Sequence, residues 1–201
     1  MYDQGRCSSC YVFATTEALE AQYRLHHQDS TSASSKYFRL SVQATLNCVE
    51  HGCQGGTLEK PLAYFKRWGL PLMSAAPYQG RVAPGGGSCK KYRKIEVKPK
   101  ITCFDTCDKR VETMQLMVWK RGPVAVSFNA QTEGEGEKNM CDKFHFFRGS
   151  LWEEDCSDGP PNHALLLVGW TAKREWILKN SWGKDLPFND TSFLYQNCYQ
   201  I

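Results

Sequence analysis

No apolar run in this 201-residue sequence reaches the roughly 20 residues that a bilayer-crossing helix needs, so no membrane partner is expected. Neither sign of charge dominates. Lys and Arg number 25 against 21 Asp and Glu, a formal +4, and the densest basic run, Lys90-Lys91-Tyr92-Arg93-Lys94, is short. That run reads as a solvated loop, and a nucleic-acid partner, which calls for a concentrated basic face, is not expected. Internal repeats and low-complexity tracts are missing, which excludes a repeat architecture. A secretory signal is missing too, since a cysteine-bearing stretch follows Met1 almost at once. Ten cysteines nevertheless suit a lysosomal, vacuolar or extracellular protein. Met1 is therefore expected to be an internal residue of a longer protein or an artificial start.

What is present is enough apolar material, 41% of residues, for one large domain or two small lobes sharing a cleft. Residues 10–25 contain no Gly or Pro, and Phe13, Ala14, Ala18, Ala21 and Leu25 recur at spacings of three and four, which predicts a helix with one buried face. Ser8 or Ser9 can cap it, leaving Cys10 in the first turn, where the helix dipole favours a thiolate. Further helices are predicted over 40–46, capped by Ser41, over Leu58–Trp68, with Thr57 as a cap and Gly69 as a stop, and over Val111–Arg121, ended by Gly122-Pro123. From about residue 105 the apolar runs become short and strand-like: Val124–Phe128, Phe144–Leu151, Ala164–Trp170 and Trp176–Lys179. Helices first and strands second indicate an α+β protein.

Two later motifs offer partners for Cys10. His163 stands at the mouth of an apolar strand and Asn180 at the end of the next, so a hairpin would bring them together. Nucleophilic thiol chemistry needs such a base and a group to orient it. Other readings of the cysteines stand beside this one. Cys7-x-x-Cys10 has the spacing of a redox dithiol, and His51 between Cys48 and Cys53 has the residue types of a zinc site.

In chain order, Gln4-Gly5-x-Cys7-Ser8-Ser9-Cys10-Tyr11-x-Phe13-Ala14, Leu40-Ser41-x-Gln43, Gly52-Cys53-Gln54-Gly55-Gly56, Gly122-Pro123-Val124, Asn162-His163-Ala164 and Asn180-Ser181-Trp182-Gly183 resemble the motifs of papain-like cysteine peptidases. The resemblance implies a two-lobe α+β fold. A helical lobe over residues 1–104 would carry Cys10, and an antiparallel β-sheet or barrel lobe over 105–201 would carry His163 and Asn180, with the active site in the cleft between. It implies peptide and protein substrates, no cofactor and no metal, with a pro-segment or cystatin-like inhibitors as further partners. Cys10 would attack the scissile carbonyl, His163 would hold the ion pair and then protonate the leaving amine, and Asn180 would orient the imidazole under Trp182. Gln4 would donate to the oxyanion beside the Cys10 N–H, a kind of contact worth about 2.7–4 kcal/mol in a transition state. Gly55 and Gly56 would bind extended substrate backbone. Leu58, Ser127, Asn162 and Ala164 would line the main specificity pocket, and their lack of charge implies an apolar substrate side chain.

By the same resemblance Cys7 would pair with Cys53, Cys48 with Cys89 and Cys156 with Cys198, leaving Cys103, Cys107 and Cys141 unassigned. Asn189-Asp190-Thr191 is a glycosylation sequon. Ser8 replaces the family's usual glycine, and Tyr11 its usual tryptophan. Tyr11 with Phe13-Ala14 is most similar to the cathepsin C branch. The strand signal expected after Gly183 is missing, as is the segment that normally precedes the first motif. A catalytically silent homologue that only binds proteins is the rival reading, and the presence of Gln4, Cys10, His163 and Asn180 argues against it.

Overall fold

The computed structural model describes residues 2–27, 38–82, 111–129, 151–152, 160–183 and 192–195. Its centre is the helix α1 (Cys10–His26). The enclosure of α1 departs from the single apolar face that its periodicity predicts. Tyr11 through Glu17, Leu19 and Glu20 are all buried, Ala18 and Ala21 are half-buried, and Leu25 is exposed. The helix packs on α2 (Val42–Leu46) and α3 (Glu59–Trp68) and also on strands β1 (Val124–Phe128) and β3 (His163–Trp170). With neighbours on both sides, burial is set by distance along the axis and not by the face. The N-terminal half is therefore the inner half.

The cap of α2 is the one predicted: Ser41 Oγ accepts from the Ala44 N–H at 3.0 Å, while its own proton goes to Ala76 O at 2.6 Å. Two other caps differ. Ser9 is the N-cap residue of α1 but makes no side-chain bond to the helix. In α3 the cap position falls on Leu58 and not Thr57, and the first-turn Glu59 complements the helix dipole instead. Gly69 ends α3 as expected, its N–H donating to Phe65 O at 2.9 Å. Leu19, Phe38, Leu40, Tyr64, Phe65 and Leu70 form the core of this helical side.

The sheet runs in the order β1-β3-β4-β5-β2, with β2 (Leu151–Trp152), β4 (Trp176–Lys179) and β5 (Ser192–Tyr195). All pairings are antiparallel except β2 with β5. β5 lies in the segment where no strand signal was expected; four residues carry too little pattern by themselves, and pairing along β4, Trp176 with Tyr195 through Lys179 with Ser192, makes them a strand. Only the end of the predicted 144–151 strand falls within the described residues. Helix α4 (Val111–Arg121) covers the sheet, and Met114, Val118, Phe128, Leu165, Leu167 and Leu178 pack in the core between them.

The first residues close the gap between the two sides. Asp3 bridges Trp182 in antiparallel fashion, Gln4 N–H donates to Ser181 O at 2.8 Å and Gly183 N–H donates to Tyr2 O at 2.9 Å. A side chain at Gly183 would stand 3.0 Å from the Asp3 carboxyl at a φ of +79°, so glycine suits this crossing.

Candidate active site

Cys10 is the first helical residue of α1, so its N–H has no carbonyl within the helix to serve and the positive end of the dipole lies at its side chain. It is half-buried and stands as a reduced thiol. Cys7, three residues earlier, is joined to Cys53 in a disulfide. That bond removes both alternative readings, because neither Cys7 as half of a redox pair with Cys10 nor Cys53 as a zinc ligand has a thiol to offer. Among the described residues no group of three His, Cys, Asp or Glu is placed to hold a metal ion. Cys48 is also disulfide-bonded; its expected partner Cys89, like Cys103, Cys107, Cys141, Cys156, Cys198 and Asn189, lies outside the described residues.

His163 opens β3 directly opposite Phe128, the last residue of β1. Its Nε2 lies 3.2 Å from Asn180 Oδ1. The same oxygen accepts from the Ser181 N–H at 2.8 Å, which marks it as the amide's acceptor end. The proton of a neutral His163 therefore sits on Nε2, and Nδ1 is the nitrogen that can take another. The ring lies between aromatics, 5.0 Å from Trp182 and 5.9 Å from an edge-on Phe128, centroid to centroid. Burial pushes its pKa down to about 4, only partly opposed by the bond to Asn180. An imidazolium in this place needs an anion beside it. The strand end carrying His163 packs against α1, and its neighbour Ala164 shares one apolar cluster with Cys10, Tyr11 and Phe13.

Gln4 is buried and held from both ends of its amide. Oε1 accepts from Ser181 Oγ at 2.7 Å, and Nε2 donates to Cys7 O at 3.2 Å. Nε2 carries two hydrogens, so the second can serve a developing oxyanion. Sequence reasoning missed Tyr78, whose hydroxyl bonds both Gln4 O and Ser9 Oγ at 2.8 Å. An aromatic residue in a run of small and polar ones was the available signal.

The description "Papain family cysteine protease" belongs to the family profile that matches residues 1–192. The chain is a member of that family. It is 31% identical over 190 residues to a cathepsin L-like proteinase of Fasciola hepatica, covering 90% of this chain and 52% of that protein. To cathepsin K of Mus musculus it is 29% identical over 209 residues, covering 97% of this chain and 55% of that protein. The chain thus spans about half the length of the curated relatives it matches. Among solved structures, the digestive procathepsin L 3 of Tenebrio molitor superposes with a TM-score of 0.70 at 27% identity, over 96% of this chain and 59% of that one. The bromelain protease of Ananas comosus gives 0.71 at 20% identity, over 97% and 82%. The papain-like α+β fold expected from the motifs is the fold observed.

Of the remaining residues that the papain-family resemblance singles out, Ser127 lies in β1 and Ala164 in β3, Leu58 is the cap of α3, Asn162 precedes β3, and Gly55 and Gly56 follow the turn at Gly52–Gln54. Ser127 pairs with Ala164 across β1 and β3, and Leu58 packs against the cluster that contains Ala164. Asn162 is exposed, and its N–H donates to Phe128 O at 3.1 Å. A Cβ on Gly56 would stand 2.7 Å from the Tyr11 ring, so only glycine lets this backbone lie so close to the helix. The Tyr11 hydroxyl donates to Gly52 O at 2.8 Å, tying the same turn to the residue after Cys10.

Proposed function

We propose that the chain hydrolyses peptide bonds as a cysteine peptidase, with Cys10, His163 and Asn180 as nucleophile, proton carrier and orienting group. The Cys10 thiolate attacks the scissile carbonyl carbon, a C–S bond forms, and the carbonyl electron pair moves to oxygen. The Gln4 Nε2–H and the Cys10 N–H receive that oxyanion. Collapse expels the amine, which leaves with the proton from His163. Water, deprotonated by the same imidazole, then hydrolyses the thioester.

The observation that carries this reading is the buried His163–Asn180 bond beneath Trp182, at the end of a strand packed on the helix that Cys10 begins. A dry imidazole is costly to charge unless its charge is used, and a thiolate at a helix start is the complementary ion. We assign Leu58, Ser127, Asn162 and Ala164 to the main specificity pocket, and their lack of charge favours substrates with an apolar side chain there. Gly55 and Gly56 offer backbone to an extended peptide. A pro-segment and cystatin-like inhibitors are the further partners of this reading. The Cys7–Cys53 disulfide supports a lysosomal, vacuolar or extracellular setting. The sequence pattern supports a division into a Cys10 lobe, residues 1–104, and a His163 lobe, residues 105–201.

The deciding experiment is mass spectrometry after exposure to an irreversible thiol-directed peptidyl inhibitor. One adduct, on Cys10, is expected. A folded protein that takes no adduct and cleaves no peptide would favour the silent, protein-binding reading.

A further inference from the structure

Tyr78 sits in the helical side's loop, 74 residues from Gln4 and 69 from Ser9, yet its hydroxyl touches both. A phenol has one proton. Since Tyr78 donates it to Gln4 O at 2.8 Å, Ser9 Oγ is the donor in the second bond, also 2.8 Å. Burial raises the Tyr78 pKa, so the phenol keeps its proton through the working range. The Ser9 hydroxyl thus lies against Tyr78, with Cys7 O at 3.3 Å as the alternative acceptor of its proton, while the Ser9 backbone (φ −104°, ψ 16°) is outside the extended conformation usual for a capping serine. The Tyr78 ring is itself fixed by an edge contact with Phe13 on α1, centroids 4.9 Å apart.

The two groups joined in this way flank the two oxyanion donors. Gln4 carries the side-chain amide, and Ser9 precedes Cys10, whose N–H is the second donor. Between them the loop folds back on itself: Cys7 N–H reaches Gln4 O at 3.3 Å, Ser9 N–H reaches Cys7 O at 2.7 Å, and Ser8 N–H reaches Cys53 O at 3.1 Å. Without the phenol, the Gln4 carbonyl would keep only the long bond from the Cys7 N–H among the described residues, and the Ser9 hydroxyl only its long bond to Cys7 O. The separation between the donors would then rest on weaker contacts.

We propose that Tyr78 is a positioning residue for the oxyanion site, its hydroxyl setting the distance between the Gln4 amide and the Cys10 N–H. The proposal rests on the reading of Gln4 and Cys10 given above. An oxyanion forms when a carbonyl is attacked and does not form when a thiolate displaces halide from a saturated carbon. Tyr78 should therefore matter to the first reaction and not to the second.

The test compares Tyr78→Phe with Gln4→Ala in the full chain, using peptide hydrolysis, inhibition by a peptide aldehyde and alkylation by iodoacetamide. Losing one oxyanion donor outright costs about 10²–10³ in kcat, so a donor left in place but misaligned should cost about tenfold or more. For Tyr78→Phe that fall is expected in kcat with KM unchanged, and the aldehyde should bind more weakly by a similar factor. The alkylation rate and its pH profile should match wild type. Wild-type kcat in Tyr78→Phe would overturn the proposal, and so would a parallel loss of alkylation, which would place the effect on the thiolate or the fold. Ser9→Ala, which cuts one arm and keeps the phenol, should fall between. If Gln4→Ala keeps full activity, the assignment of Gln4 fails whatever Tyr78→Phe does, and the two-donor proposal fails with it.

Discussion

Lys179 Nζ lies 2.6 Å from Glu17 Oε2, an ion pair that ties the sheet to the central helix one residue before Asn180. Glu17 is buried, and desolvation raises its carboxyl pKa despite the attraction of Lys179. Its other oxygen, Oε1, has no hydrogen-bond partner among the described residues. The pair is thus expected to contribute little net stability while being costly to break from one side. Lys179→Met should destabilise the protein by about 3–5 kcal/mol, and Glu17→Leu added to it should recover most of that loss. Urea unfolding midpoints of the three proteins check this, and a double variant no better than Lys179→Met would refute it.

Cys10→Ala should abolish peptide hydrolysis and leave the unfolding midpoint near wild type, since the side chain is small and half-buried. Cys10→Ser should be nearly as inactive, because a hydroxyl is far less acidic than a thiol. Steady-state assays on both variants test the assignment, which undiminished turnover in either would refute.

In the Cys10→Ala background the proposed partner thiolate is removed, and the imidazole should titrate near 4 by NMR. The folded value lies below the ordinary 6.5, so the unfolded chain binds the proton more tightly. Stability from this group is complete above about pH 6.5, falls as pH drops toward 4 and is constant below that. For a shift of this size the loss is roughly 3 kcal/mol. Glu17 and Glu20, both raised by burial, titrate with the opposite sign. Comparing Cys10→Ala with Cys10→Ala/His163→Gln isolates the histidine, and a His163 pKa near 6.5 would show a wet site.

Non-reduced peptide mapping should recover Cys7 linked to Cys53 and Cys48 linked to Cys89. A Cys7–Cys10 peptide would contradict both the disulfide seen here and the mechanism.

The bare papain-like cleft is open at both ends, and exopeptidase activity requires a block beyond two residues and a carboxylate for the free amine. No stretch of these 201 residues reads as a blocking domain, and the His-His insertion of carboxydipeptidases is missing between Cys89 and Cys103. The chain folded without further domains should therefore cleave within peptides. A dipeptide-amide reporter and its amino-blocked form should be cut alike, and loss of cleavage on blocking would mean an amine-reading exopeptidase.

Several features were legible because they are local. A serine three residues ahead of an N–H makes the α2 cap, a Gly-Pro pair ends α4, and alternating or continuous apolar residues mark β1, β3 and β4. The residues of the candidate site were legible for another reason: Cys10, His163 and Asn180 each sit at the end of an element, inside a motif of fixed spacing. Tertiary structure decided what depends on partners far along the chain. It wrapped both sides of α1, so that Thr15, Thr16, Glu17 and Glu20 became interior, where helical periodicity predicts a single inner stripe. It set the Ser9 hydroxyl against Tyr78, a ring 69 residues away that packs edge-on against Phe13. It made a strand of Ser192–Tyr195 through pairing with β4. It matched Glu17 with Lys179 across 162 residues, since a buried carboxylate takes whichever cation the packing brings within reach.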